Sequence, residues 1–420
     1  MEDEKNPLKV LVLGGNGMLG SDFVVELLGR VASEAAGGKE ARELVLVLAN
    51  RGHCYWDGAA RLATARLAAG ERARVEHVAL DRKPKALSSG SQEDALTRIK
   101  ELGPFHWAVD FSSTKAGSMQ LLLNALGGRV GAWVYISSDS VYEVCEPFAP
   151  PLKEEMAVRP MGEEERRRLA QQDSYGEEKL ACEEALRQAG IRHLCLRLPD
   201  VLGPRDGTLR LLRYCLWTLL QPFVFPQVLP LHIPAASADR PLSFVYSLDV
   251  ARCITLILFN SSSSSSSSSS NNLSSLFSSS AYNLSCRETY SLPQFLTALS
   301  SSLHCPAAPP LLLLPPESEC TTFFPSVTRG PLCIDRALAE LPFSPTPLPH
   351  VLDDAAAFFL HHVLAADPLS DSVWEAVEDL LETLHVREEG QGLPPHDRHT
   401  ILQIFQRAAQ RFDQSLSRTQ

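Results

Sequence analysis

Short runs in which apolar residues dominate recur along the first half of the chain. They cover residues 8–13, 44–48, 75–80, 108–111, 132–137 and 193–198. Apolar runs of this length without alternation are typical of strands whose two faces are both buried, as in a parallel sheet. The pattern therefore predicts a series of buried parallel strands.

Between these runs the apolar residues return with helical spacing. Residues 21–31, 92–102, 119–126, 175–188 and 248–258 place apolar side chains three and four positions apart. Strands that alternate with helices are typical of a parallel sheet covered by helices on both faces. We therefore predict an α/β fold with a Rossmann-type, doubly wound parallel sheet.

The pattern changes beyond residue 205. We expect residues 1–205 to form the Rossmann core and residues 206–366 to form a mixed, smaller C-terminal region with substrate-binding elements. Two of its segments are expected to return to the core, namely 236–260 and 281–290. Serine dominates residues 261–280, which have nothing to bury and are predicted to be a disordered insertion. Residues 367–420 have amphipathic spacing and predict an extra helical tail.

Charge and cysteine content exclude several classes of protein. A net charge of −11 argues against binding to nucleic acid or to an anionic membrane, because both need clustered Lys and Arg. The ten cysteines form no CxxC pair, which is typical of reduced thiols and not of disulfides or a metal site. The acidic residues 1–5 fit neither a secretory nor a mitochondrial signal, so we expect a cytoplasmic protein.

One apolar segment, residues 214–234, is nearly long enough to span a bilayer. Prolines recur in it at every fourth position, namely Pro222, Pro226, Pro230 and Pro234. Since proline breaks helices, we expect a buried irregular stretch and not a membrane span.

A glycine-rich turn follows the first strand. Gly14, Gly17 and Gly20 stand between an apolar run and an amphipathic helix. Glycines there permit a tight turn and close approach of a pyrophosphate, and the helix N-terminus favours the phosphate charge. We expect the following residues to contact a dinucleotide: Gly14, Asn16, Gly17, Met18, Leu19 and Gly20. The alternative is a glycine turn with no ligand.

The end of the second strand bears on the choice of cofactor. An acid there usually binds the ribose 2′-hydroxyl of NAD, whereas a nearby arginine suits the 2′-phosphate of NADP. This chain has Asn50 and Arg51 and no acid, which favours NADP without excluding NAD. Alternatively, Arg51 is only a solvated loop residue.

Tyr175 and Lys179 stand one helical turn apart and share a face. A lysine ammonium beside a phenol favours the phenolate and brings this acid–base group toward neutral pH. Ser138 follows the fifth predicted strand, at the sheet edge where ligands bind in open α/β folds. Its hydroxyl is suited to hydrogen-bond a substrate oxygen.

Taken in order, the motifs resemble the extended short-chain dehydrogenase/reductase family, which includes the NAD-dependent epimerase/dehydratases. The similar segments, within about residues 8 to 360, are GGNGMLG, LDRK, DFSSTKAG, YISSDSVY, YGEEK, RLPDVLGPRD, FVYSLDVA, AYNLS, DRALAEL and FSPTPL. The resemblance implies that Tyr175 is the catalytic acid/base, that Lys179 modulates its pKa and binds ribose, and that Ser138 orients the substrate oxygen.

The resemblance also implies further contacts. Asp81 and Arg82 stand where the family holds the adenine, and Asp249 matches an acid that supports the preceding turn. Four residues after the fourth strand are implied to lie along the cofactor: Phe111, Ser112, Ser113 and Lys115. Family members are frequently homodimers through the helix that bears the Tyr and Lys.

Three departures concern the substrate side. The dehydratases carry an Asp-Glu pair where this chain has Asp139 and Ser140, which argues against dehydration by that route. Asp200 replaces an asparagine that lies near sugar-nucleotide phosphates, and a carboxylate there is expected to repel them. An expected arginine is displaced, with Arg240 the nearest candidate.

Two functions are therefore open. The first is an NAD(P)-dependent oxidoreductase or epimerase acting on a hydroxyl or carbonyl of a small molecule, such as a sugar or sugar nucleotide. The second is a catalytically silent dinucleotide-binding protein with a regulatory or scaffolding role. The serine insertion, the altered substrate motifs and the helical tail favour the second hypothesis, and the complete set of Tyr175, Lys179 and Ser138 favours the first.

Overall fold

The structure is a computed structural model that describes most of the chain. The described residues are 7–37, 43–82, 90–224, 231–234, 238–260, 277, 281–305, 311–314, 328–366, 369–385 and 398–419. Of the predicted serine insertion, residues 261–280, only Phe277 is among the described residues. The chain forms two compact units, of which the first comprises residues 1–199, 247–285 and 332–345 and the second comprises the rest.

The first unit is built on seven strands. They are β1 (Leu8–Leu13), β2 (Leu44–Asn50), β3 (Ala73–Ala79), β4 (Phe105–Asp110), β5 (Val130–Ser138), β6 (His193–Leu198) and β10 (Ala281–Asn283). All pairs are parallel, in the order β10-β6-β5-β4-β1-β2-β3. Strand β1 lies inside the sheet, with β2 and β3 on one side and β4, β5, β6 and β10 on the other. This is the arrangement of a doubly wound sheet, so the predicted fold class is confirmed.

Helices connect these strands. They are α1 (Met18–Ala36), α2 (Gly58–Ala69), α3 (Gly90–Leu102), α4 (Ala116–Leu126), α5 (Glu163–Gln172), α6 (Ser174–Gln188), α8 (Ser247–Asn260) and α10 (Asp335–Glu340). Leu11 and Leu13 of β1 share a buried cluster with Met119 of α4 and Leu186 of α6. The alternate residues of β1 point to the opposite face because side chains alternate along a strand.

Helix α5 is absent from the sequence prediction. It reads EEERRRLAQQ, and only Leu169 of it is buried. With a single buried apolar residue the segment has no amphipathic periodicity, and its sequence therefore does not predict a helix.

The second unit contains two small parallel pairs and the remaining helices. Strand β7 (Asp200–Leu202) pairs with β9 (Phe244–Tyr246), and β8 (Leu231–Pro234) pairs with β11 (Leu311–Leu314). The helices are α7 (Arg210–Val224), α9 (Leu292–Ser302), α11 (Leu348–Phe358), α12 (Asp371–His385) and α13 (Arg398–Thr419). A π-helical turn, Phe359–Leu364, extends α11.

The prediction of an irregular stretch over residues 214–234 is wrong for residues 214–224, which belong to a helix, and for residues 231–234, which form β8. Helix α7 continues to Val224, and Tyr214, Trp217 and Leu220 are fully buried on it. Pro222 lies in the last turn, where it removes one backbone donor without interrupting the preceding turns. In the part of the chain that the structure describes, no helix combines the length and apolar character needed to cross a bilayer.

The predicted helical tail forms α12 and α13. Their apolar positions are buried, including Trp374, Val377, Ile401 and Phe405. The tail belongs to the second unit, in which the ring centroids of His361 and Phe412 lie 5.4 Å apart in an edge-to-face arrangement.

Candidate functional site

The glycine turn joins β1 to α1 in the manner that the spacing predicts. A Cβ at Gly20 would overlap the carbonyl oxygen of Gly14, so the helix can pass this close to the turn only without a side chain. A Cβ at Gly17 would meet only the Gly14 oxygen, at 3.8 Å, and otherwise open space. Gly17 is the N-cap of α1 and makes no side-chain cap hydrogen bond. The helix N-terminus is thus approachable and is not capped by a side chain.

Two asparagines face each other beside this turn. Asn16 and Asn50 exchange amide hydrogen bonds of 3.2 Å in both directions, and the Asn50 oxygen also accepts the Gly52 N–H at 2.8 Å. The Asn16 amide additionally lies 3.5 Å from the Cys54 sulfur. Arg51 is exposed. The end of β2 is therefore neutral at Asn50 and positive at Arg51.

Of the two residues implied at the adenine position, Arg82 points into the protein. Its guanidinium binds both carboxylate oxygens of Asp110 at 3.1 Å and the Ser113 hydroxyl at 2.6 Å. It also donates to the Ser112 hydroxyl. Asp81 remains partly exposed, and its backbone N–H binds Gln92.

The other residues implied along the cofactor lie at the carboxyl end of β4. The Phe111 ring packs 5.5 Å from the ring of Phe23 on α1. Lys115 is half-exposed and lies 3.4 Å from Glu178, whose other oxygen accepts the N–H of Ala116 at the start of α4. These contacts place the β4 loop against both helix α1 and helix α6.

Helix α6 carries Tyr175 and Lys179. It begins on Asp173, whose side chain accepts the Gly176 N–H at 2.7 Å. A Cβ at Gly176 would overlap the carbonyl oxygen of Ser140, so the first turn of α6 lies directly on the turn that follows β5. This close approach brings Tyr175 next to the segment of Ser138. Tyr175 itself is 47% exposed.

Lys179, in contrast, is buried beneath Tyr175. Its ammonium donates to the carbonyl oxygens of Ile136 at 2.7 Å and of Ser113 at 3.1 Å, and lies 5.7 Å from the centre of the Tyr175 ring. Burial lowers the pKa of Lys179 to about 8, an effect that the attraction of Asp110 opposes. A lysine in this position is close to its titration range at neutral pH.

The Ser138 hydroxyl lies at the N-terminus of a short 3-10 helix, Asp139–Val144. It accepts the Ser140 N–H at 3.2 Å and lies 3.2 Å from a carboxylate oxygen of Asp139. Ser138 and Asp139 are almost fully buried. The structure therefore brings Tyr175, Lys179 and Ser138 to one edge of the sheet, close to the glycine turn.

A buried ion pair that the sequence did not predict supports this edge. Glu183 lies one turn beyond Lys179 on α6 and binds Arg197 of β6 through both oxygens, at 3.0 and 2.7 Å. It also accepts the hydroxyl of Ser137 at 2.6 Å. Burial alone would raise the pKa of Glu183, but the attraction of Arg197 outweighs it and holds that pKa below its usual range. The only sign of it in the sequence was the position of Arg197 inside the apolar run 193–198, which indicates a buried charge without naming its partner.

The sequence departs from the family on the substrate side at four residues. Asp139 and Ser140 lie in the first unit, whereas Asp200 and Arg240 lie in the second. Asp200 is buried and binds Arg210 at 2.8 Å. Burial raises the pKa of Asp200, and Arg210 opposes that rise. The expected repulsion of phosphates is therefore weaker than the sequence indicated, because Arg210 compensates the carboxylate. Arg240 is partly exposed, and Asp249 is buried in the first turn of α8, 3.4 Å from Arg252.

Comparison with known families gives one match. Residues 104–271 match the model of the NAD dependent epimerase/dehydratase family. The predicted resemblance to this family, and with it the enzyme class, is thereby confirmed. A search of curated proteins gives no match.

Several solved structures of similar fold are named as UDP-sugar epimerases, all at low sequence identity to this chain. UDP-glucuronic acid 4-epimerase from Bacillus cereus, in complex with NAD, has a TM-score of 0.55 and 17% identity, over 84% of this chain and 98% of that one. UDP-glucose 4-epimerase from Bifidobacterium longum, with NAD+ and UDP, has a TM-score of 0.53 and 18% identity, over 83% and 96% of the chains.

A third structure of similar fold is also named as a UDP-sugar epimerase. UDP-N-acetylglucosamine 4-epimerase from Methanobrevibacter ruminantium, in complex with UDP-N-acetylmuramic acid, has a TM-score of 0.54 and 15% identity. The alignment covers 84% of this chain and 99% of that one. At these identities the likeness establishes the fold.

Proposed function

We propose that this chain is an NAD(P)-dependent oxidoreductase or epimerase that acts on a hydroxyl or carbonyl of a sugar or sugar nucleotide. The observation that carries the proposal is the buried Lys179 ammonium, fixed by two main-chain carbonyls and covered by the half-exposed ring of Tyr175. A protein that only bound a dinucleotide would need no such buried charge under an accessible phenol.

The residues of the first unit fit a dinucleotide. The open space at Gly17 and the absence of a side-chain cap on α1 leave room and N–H donors for a pyrophosphate. Asn16, Met18 and Leu19 are partly exposed around that space. When bound, the nicotinamide would supply the hydride acceptor or donor of the reaction.

The chain's own side chains would then handle the proton. The Tyr175 hydroxyl gives a proton to the substrate oxygen or takes one from it, and the Lys179 ammonium stabilises the phenolate that remains. The Ser138 hydroxyl orients the substrate oxygen and stabilises its developing charge. Asp139 has Ser140 and not a second acid beside it, which favours oxidation–reduction or epimerisation over dehydration.

The substrate class rests on two observations. The structures of similar fold are named as epimerases of UDP-sugars. Asp200, which argued against a sugar nucleotide, has its charge compensated by Arg210 at 2.8 Å.

Replacement of Tyr175 by Phe tests the acid/base assignment. We expect Tyr175→Phe to lower turnover of UDP-sugars at least 100-fold or so, by loss of general acid–base catalysis, while dinucleotide affinity stays within twofold or so. Products would be separated by chromatography, and Tyr290→Phe, outside the site, serves as the matched control. Unchanged turnover in Tyr175→Phe would refute the assignment. Tight dinucleotide binding with no turnover of any sugar nucleotide, sugar or small carbonyl by the parent chain would favour the regulatory or scaffolding role.

We also propose that the cofactor is NADP in preference to NAD. The neutral Asn50, held by Asn16 and Gly52, offers no carboxylate to repel a 2′-phosphate, and the exposed Arg51 offers it a positive charge. Arg51→Ala should weaken NADP about tenfold, equivalent to about 1.4 kcal/mol, and leave NAD unchanged. Asn50→Asp should weaken NADP and strengthen NAD. Equal losses for both cofactors in titration calorimetry would contradict this preference.

Dimerisation and location stay predictions. Leu121 of α4 is 44% exposed, beside α6, which supports pairing of two copies there. Arg159, however, binds Glu177 and Glu184 at 2.6 Å each on the outer side of α6, so such an interface would be partly polar. Sedimentation velocity decides between monomer and dimer. The nine described cysteines are free thiols, in keeping with a cytoplasmic location.

A further inference from the structure

Asp110, the last residue of β4, is a fully buried carboxylate just beneath the acid/base residues. It accepts the N–H groups of Ser112 at 3.0 Å and Ser113 at 2.9 Å, together with the Ser113 hydroxyl. Arg82 donates to both of its oxygens at 3.1 Å. All of these partners are donors, which is the arrangement that a carboxylate requires.

Arg82 is the positive member of this group. Its side chain is only 10% exposed, and it binds the hydroxyls of Ser112 and Ser113 in addition to Asp110. Its own carbonyl accepts the Ser118 hydroxyl at 2.8 Å, which anchors the residue to α4. Arg82 therefore joins the end of β3, the β4 loop and α4.

Ser113 connects Asp110 to the lysine. Its N–H and hydroxyl bind Asp110, while its carbonyl oxygen accepts Lys179 at 3.1 Å and the Tyr135 hydroxyl at 3.0 Å. A shift of the carboxylate would move the same peptide that holds the ammonium. The link needs no other residue.

The charges act on Lys179 in opposite directions. Burial lowers its pKa to about 8; Asp110 attracts the ammonium and raises that pKa, whereas Arg82 repels it and lowers it. Other groups also face Lys179: Cys182 and Glu183 from its own helix, Tyr135 from β5, and the Tyr175 ring. Of these, Tyr135 and Cys182 have raised pKa values because they are buried, and are neutral at physiological pH.

We propose that Asp110 and Arg82 are a pair of positioning residues that fix the Ser113 carbonyl under Lys179 and balance the charge of that lysine. Their significance for catalysis rests on the proposed function, whereas their action on Lys179 does not. Arg82 is accordingly assigned a role through Asp110 and Ser113, and not the adenine contact that the sequence resemblance implied.

The titration of Lys179 tests the proposal in the full-length chain without substrate. The sequence has nine lysines, so carbon-13 labelling at Cε gives few resonances, and Lys179→Arg identifies the one that matters. Asp110→Asn should raise the fraction of neutral Lys179 at a given pH, with proton affinity about tenfold lower. Arg82→Gln should change proton affinity by a similar factor in the opposite sense. The double variant should titrate close to the parent.

A second pair of variants keeps the test decisive if Asp110→Asn does not fold. Arg82→Lys retains the positive charge and should titrate like the parent, whereas Arg82→Gln should not. Arg98→Gln, which removes an exposed ion pair with Glu76 at 3.3 Å, should leave Lys179 unchanged. Shifts of the same sign in Asp110→Asn and Arg82→Gln, or no shift in Arg82→Gln, would overturn the proposal.

Turnover distinguishes this proposal from the proposed function. If the pH profile of UDP-sugar turnover moves with the Lys179 titration in each variant, both are supported. Opposite Lys179 shifts in a chain with no turnover would support the positioning pair and count against the enzymatic proposal. If UDP-sugars are turned over but the titration of Lys179 is unchanged in both Asp110→Asn and Arg82→Gln, the enzymatic proposal is supported and the positioning pair is refuted.

Discussion

Removal of Arg197 leaves the buried Glu183 without its cationic partner. The two side chains are 4% and 1% exposed, and two hydrogen bonds, of 3.0 and 2.7 Å, join them. Arg197 also donates to the Tyr142 hydroxyl at 3.1 Å and to the Glu154 carbonyl at 2.8 Å. Arg197→Met removes all of these bonds at nearly constant volume.

The expected loss follows from desolvation. An uncompensated buried charge costs about 3–5 kcal/mol, whereas replacement of both partners by apolar residues is often close to neutral. We therefore expect Arg197→Met to lower the free energy of unfolding by about 3–5 kcal/mol. Arg197→Met with Glu183→Met should recover about half of that loss, since no buried charge remains; Ser137 then lacks its acceptor.

The loss should depend on pH in a defined sense. In the parent, Arg197 holds the pKa of Glu183 below its usual range. The ionised Glu183 therefore contributes its full share of folding stability above the unfolded pKa of roughly 4.3, and this share is lost only as the pH falls further. Without Arg197, burial raises that pKa above the unfolded value of roughly 4.3. The folded variant then takes up a proton as the pH falls, and its deficit against the parent should narrow between about pH 7 and pH 5.

Urea denaturation followed by tryptophan fluorescence measures these differences. Arg168→Gln, which removes an exposed ion pair with Glu165, is the control and should have no measurable effect. A loss below about 1 kcal/mol in Arg197→Met, or a deficit that grows toward pH 5, would refute the reasoning.

Three further predictions follow from close contacts. Gly176→Ala should lower both stability and turnover, because the new Cβ would overlap the Ser140 carbonyl. Gly117→Ala, with open space around it, is the control and should be neutral or stabilising by up to about 1 kcal/mol. Equal thermal denaturation of the two variants would contradict this prediction. Asp22→Ala removes a buried acceptor of Arg61 and Ser247 at 2.8 and 2.7 Å and should cost about 1–3 kcal/mol in urea denaturation; a loss within error would show that these bonds add nothing. Cys54 is the exposed thiol among the described cysteines and should react first with a maleimide. Because Cys54 lies beside Asn16, bound NADP should slow this reaction, and Cys54→Ser should abolish the fast phase. A reaction rate that does not change with NADP would place the cofactor away from Asn16.

Much of the fold was predictable because it depends on local periodicity. The apolar runs located β1 to β6, and helical spacing located α1, α3, α4 and α6. Helix α5 escaped because a single buried leucine leaves no period, and α7 was misjudged because Pro222 was given more weight than the burial that outweighs it.

The glycine turn and the Tyr175–Lys179 pair were also readable from the sequence alone. Each depends on residues a few positions apart, whose spacing is set by backbone geometry. Ser138 was predicted to lie near this pair from its place at the end of a strand. The close approach of Gly176 to Ser140 brings the first turn of α6 against the turn that follows β5.

The charge partners, by contrast, were decided only by the tertiary structure. Arg82 and Asp110 are 28 residues apart, and Glu183 and Arg197 are 14 apart, with no pattern linking either pair. Which charges meet depends on side-chain direction and burial, because Coulomb interactions strengthen steeply as water is excluded. The sequence therefore determined where the backbone turns and which groups stand at the sheet edge. The packing determined which charged side chains form ion pairs and how far burial and neighbouring charges shift the pKa of Lys179.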